Sequence, residues 1–107
     1  MFREIKNINV PYKRQGLLHF MCLNYDILEE KQREKIVQAC IKTTSEYYQP
    51  LFKLLTTDTD YYPAWRIAND FFISPNLLYK LRREFYKNWD EEFKRNRFSI
   101  ENNNKIC

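Results

Sequence analysis

The 107-residue chain reads as a small all-α domain, a bundle of about four helices. Three observations predict this. The chain has one glycine, Gly16, and four prolines, and tight hairpins need positive-φ residues that so glycine-poor a sequence does not supply. Hydrophobic residues make up 44% and aromatic residues 17%, enough to close one modest core and too much for a disordered chain. Apolar side chains also recur at three- and four-residue spacings, the helical period.

The same composition excludes several classes. No apolar run approaches the roughly 20 residues of a membrane span, and the longest, residues 17–23, is interrupted by His19. The first residues carry Arg3, Glu4 and Lys6 with no apolar stretch or small-residue cleavage site behind them, so no secretory signal is read and a cytoplasmic protein is the default. Cys22, Cys40 and Cys107 are odd in number and widely spaced, which is neither a disulfide framework nor a zinc pattern. Cys40 is expected in the core. His19 and Cys22 can share a helical face, but two donors do not close a metal site. No metal, cofactor or small-molecule substrate is therefore expected. One histidine, no glycine-rich phosphate loop and no paired acid–base spacing argue against an enzyme.

Residues 1–16 are expected to form an irregular arm, with Pro11 discouraging helix at Val10. A single helical domain follows over residues 17–98. The run 17–23 leans towards helix because Leu, Met and His outweigh β-branched types. Asp26, with Glu29 three residues on, has capping-box spacing and is expected to open a helix over residues 27–48. Val37, Cys40, Ile41, Thr44 and Tyr48 form its buried stripe, flanked by Ile36 and Tyr47. Pro50 is expected to end or kink that helix, and Leu51, Phe52, Leu54 and Leu55 to make a short apolar turn or second helix. The polar connector 56–60 divides the chain.

Pro63 suits a first helical turn, and Trp65, Ile67, Ala68, Phe71 and Phe72 would supply the apolar face of the helix it opens. Ser74-Pro75 is the cleanest local signal: a serine cap followed by proline at the first helical position. Leu78, Leu81, Phe85 and Trp89 then recur at three, four and four, one stripe of a helix that reaches Phe93 or beyond. Residues 99–107, rich in Asn, are expected to be a frayed, flexible tail.

Net charge is +4, and its placement says more than its size. Residues 76–88 hold Lys80, Arg82, Arg83 and Lys87 against Glu84 alone. Asn76, Lys80, Arg83 and Lys87 share one helical face, opposite the Leu78–Trp89 stripe, with Tyr79 and Arg82 beside it. Lys and Arg neutralise phosphate and release counterions, and Asn and Arg bond base edges in the major groove.

Residues 64–83 resemble the helix-turn-helix of bacterial and phage DNA-binding proteins. The matching positions are Ile67-Ala68 and Phe71 on the first helix, Ile73 in the turn, and Leu78 and Leu81 on the second. The unit would occupy about residues 64–88. The turn slot where many members carry Gly holds Phe72, and because a bulky residue at positive φ is costly, the turn is expected to avoid that region. A looser likeness joins residues 27–37 to the helix that precedes the motif in sigma-factor region 4. The resemblance implies that Ser74, Asn76, Tyr79, Lys80 and Arg83 approach DNA and that Arg82 and Lys87 touch phosphate. It also implies a regulator of the phage or mobile-element type, partnered by double-stranded DNA; a homodimer or a larger protein partner is a further expectation, resting on the aromatic surface of the chain. The rival expectation is a helical protein-interaction module, an inhibitor or adaptor using an aromatic surface that includes Tyr47, Tyr48, Tyr61 and Tyr62.

Overall fold

The structure, a computed structural model, describes residues 2–106, with side chains through Arg95. Residues 2–11 form an arm without regular secondary structure, yet Ile5, Ile8 and Val10 are buried in the main core. Asn7 (φ 65°) and Asn9 (φ 55°) flank Ile8, and Asn tolerates this left-handed geometry better than most residues. The arm is shorter than the sixteen residues expected, because helix α1, Tyr12–Leu23, starts directly after Pro11. Pro11 loses nothing as the capping residue: its carbonyl accepts from the amides of Arg14 and Gln15, both at 3.0 Å.

The helix expected over residues 27–48 is three pieces. Tyr25–Ile27 is one 3₁₀ turn, after which Leu28 is extended (φ −73°, ψ 155°). Leu28 packs on the core, and that tertiary contact displaces Asp26 from its expected capping role. Helix α2 is Glu30–Thr43, ending at an extended Thr44 (φ −155°, ψ 114°). The Thr44 hydroxyl accepts from the Tyr47 amide at 3.0 Å, a side-chain bond that competes with continued helix. Helix α3, Tyr48–Thr56, follows. Pro50 therefore breaks nothing. It occupies the first turn of α3, where no backbone donor is needed. The stripe of α2 is also rotated from the expected one. Ile36, Ala39 and Cys40 are buried, whereas Ile41 is exposed.

Helix α4 is Ala64–Asp70, and helix α5 is Pro75–Ile106, 32 residues. At about 1.5 Å per residue α5 runs the length of a molecule whose longest extent is 53 Å. The described residues thus form five α-helices and no strand, one helix more than expected because α2 and α3 are separate. The backbone of α5 continues past Ser99, where the tail was expected to begin; the side chains of residues 96–107 lie outside those described. No helix among the described residues is long and apolar enough to cross a membrane.

Two apolar clusters hold the helices. The larger gathers the arm, α1, α2, α3 and the middle of α5, with Ile36, Leu51 and Phe85 fully buried. The smaller joins Leu54 of α3, Ala64, Ile67 and Ala68 of α4, and Leu78 of α5. Asp90, only 4% exposed, is held by a two-pronged contact from Arg14 of α1, with the second bond at 3.2 Å. Lys94 approaches the same carboxylate at 3.4 Å. A buried carboxylate demands such pairing.

Candidate nucleic-acid interface

The unit formed by α4 and the start of α5 is built around its turn. Ile67 and Ala68 bury one face of α4 against Leu54 and Leu78. The helix then closes over Phe71, and Phe72 takes φ 58°. Two bonds cross this residue: the Phe72 amide donates to the Asn69 carbonyl at 3.2 Å and the Ile73 amide to the Ala68 carbonyl at 3.0 Å. This pair is the Schellman ending, in which one left-handed residue satisfies two orphan carbonyls. Ile73 packs back on the small cluster, the apolar contact that accompanies the motif.

The expectation that the turn would avoid positive φ is therefore corrected. A left-handed non-glycine residue costs about 1–2 kcal/mol, which the two backbone bonds and the packing of the half-buried Ile73 on the small cluster offset. The Phe72 ring adds nothing to that balance, being 95% exposed. Trp65, 61% exposed, is likewise absent from the apolar face assigned to it; the buried face of α4 is only Ala64, Ile67 and Ala68.

Helix α5 opens as its sequence predicts. The Ser74 hydroxyl accepts from the Asn76 amide at 3.1 Å, with Pro75 at the first helical position. Beyond it the seven expected DNA-facing residues divide. Asn76, Tyr79 and Lys80 are exposed on the first turns. Arg83 is turned back onto the arm, where Nη1 donates to the Lys6 carbonyl at 2.8 Å and Nη2 to the Asn7 carbonyl at 3.4 Å. Lys87 lies 3.7 Å from Glu84 on its own helix. Arg82 lines a cleft beside this surface, its guanidinium 5.4 Å from the Tyr79 ring centre.

A cationic cluster on Tyr62 was missed by sequence reasoning. Arg66 and Lys53 stand 4.9 and 5.3 Å from the Tyr62 ring centre, and the Tyr62 hydroxyl donates to the Asp70 carboxylate. That hydrogen bond is the main reason its phenol titrates above the usual range. The spacing of Tyr62, Arg66 and Asp70 at four residues each was available as a signal, but Tyr62 precedes the helix and Pro63 obscured the register. Of the four tyrosines expected on a surface, Tyr61 is exposed while Tyr47, Tyr48 and Tyr62 are half-buried.

The cysteines support the reading of Cys40 as a core residue. Cys22 and Cys40 are both buried, and burial pushes each thiol up to about 12, which leaves them protonated and unreactive at neutral pH. Among the described residues no group of His, Cys, Asp and Glu could hold a metal ion. No family model matches the chain, and no curated protein or solved structure matches it either.

Proposed function

We propose that the chain is a small double-stranded-DNA-binding protein that lays the first turns of α5 in the major groove. The observation that carries this reading is the left-handed Phe72 turn. It sits where the helix-turn-helix resemblance places Gly, between a buried Ala68 and a buried Leu78 at the matching positions. Support also comes from the exposed Asn76, Tyr79 and Lys80 just beyond the turn, with Ser74 at the helix start. Asn suits adenine and Lys suits guanine or phosphate. Because Arg83 is committed to the arm and Lys87 is shared with Glu84, base reading falls to Asn76 and Lys80. Regulation of transcription is the role such a surface would serve.

Selection of bound duplexes from a random pool at two salt concentrations tests this. An enriched motif is expected, with Lys80→Glu reducing the log–log salt slope by about one or more. A palindromic motif would point to a homodimer. No duplex affinity at low ionic strength sinks the proposal. It would leave the interaction-module reading, which the exposed Tyr61, Trp65 and Phe72 around α4 favour.

A further inference from the structure

We infer that the cleft between the arm, α1 and the α4–α5 unit binds a small molecule carrying a phosphate or carboxylate on an aromatic body. The cavity measures about 350 Å³, a size at which small-molecule sites begin. Its walls bring together Arg3 of the arm, His19 of α1, Trp65 of α4, and Tyr79, Arg82 and Tyr86 of α5. These residues are distant in sequence, and the fold alone assembles them.

Arg82 supplies a positive charge at the cleft wall. Its Nε is closed off from solvent and has no hydrogen-bond partner among the described residues, a costly state for a guanidinium donor. An anion in the cleft would pair with the rest of the guanidinium, and would reach Nε only through a turn of the side chain. The cleft's own carboxylate, Asp60, is already engaged. Arg3 adds a second positive charge to the same wall. Thr57 and Thr59 line the cleft as well, and their hydroxyls suit the remaining oxygens of a phosphate or carboxylate. Burial first, and surrounding positive charge after it, hold His19 below its ordinary range, so at neutral pH it offers one N–H donor and no charge. An anion beside it would reverse part of that depression.

The rings argue for a planar body behind the anionic group. Tyr79 already stacks with Arg82 and is 41% exposed, and Trp65 is more exposed still. Both border the cleft, which gives an aromatic ligand faces to lie against. The inference does not depend on DNA binding, since of the residues it uses only Tyr79 belongs to the proposed groove-facing set, and the ligand titrations are made without nucleic acid before any duplex is added.

Calorimetric titration of the full chain with phenyl phosphate, benzoate and inorganic phosphate provides the test. Phenyl phosphate or benzoate should bind saturably, and the tighter of the two identifies the head group. The bound ligand should raise the pKa of His19, the only histidine of the chain, followed by NMR. Arg82→Met should weaken binding about tenfold or more while melting no lower than the unaltered protein, because it removes an unpaired buried donor. The inference is overturned by an absence of saturable binding, or by Arg82→Met protein that binds as before. Inorganic phosphate binding as tightly as phenyl phosphate would remove the aromatic body from it. Displacement of phenyl phosphate by added duplex, with the same Arg82 dependence, would reassign the anion to a nucleic-acid backbone and overturn the small-molecule reading.

Discussion

Phe72 combines two features that stability alone does not explain: a left-handed backbone and a ring almost wholly in solvent. Strain of this kind is commonly retained at functional positions. Phe72→Gly keeps the two turn bonds and removes the Cβ clash, while giving back some entropy to the unfolded chain. A gain of about 1 kcal/mol in urea unfolding is expected, together with weaker binding of the duplex or protein that contacts the ring. A loss of stability would show that the ring supports the turn. The turn bonds were illegible beforehand because residue type argued against positive φ, and only the geometry of Ile73 over Ala68 decides otherwise. Arg83 makes the same point for the interface. Its place on the helix face was readable from spacing, but its acceptors are carbonyls more than seventy residues away.

Gln15 explains how an arm without regular structure becomes a fixed element. Its side chain is 1% exposed and makes three bonds. Oε1 accepts from the Ile5 amide at 2.7 Å, and Nε2 donates to the carbonyls of Ile5 at 3.0 Å and Val10 at 2.9 Å. The amide thus substitutes for the strand partner that Ile5 lacks. Gln15→Leu fits the space but leaves three backbone groups unsatisfied, and should cost about 3 kcal/mol in chemical denaturation. It should also free Arg83 from the arm. Unchanged stability would mean that the arm is held by its apolar residues alone. Elements were legible in existence more than in extent. The Leu78–Phe85 stripe and the Ser74-Pro75 start were local and came through. The bounds of α2 were set by Leu28 packing inward and by Thr44 bonding Tyr47, neither of which has a periodic signature.

At the scale of the molecule, glycine poverty and helical spacing were enough to read an all-α fold, because both act through local backbone preference. The division into two clusters was not readable. Leu54 and Leu55 are adjacent in one helix and belong to different clusters, so a pattern that only separates inside from outside cannot assign them. The division has a mechanical consequence. Helix α4 rests on the small cluster and on little else, while α5 is shared with the large one. Leu54→Ala should cost about 2–4 kcal/mol, and amide exchange should show where. Protection in α4 is expected to fall first and furthest, through local opening, with the amides around Ile36 and Phe85 losing only what global stability loses. Equal loss in all helices would mean that the clusters open together and that α4 has no independent freedom. If α4 does open separately, the angle between it and α5 becomes the softest coordinate of the proposed interface, and occupation of the adjoining cleft, which touches both helices, would stiffen it.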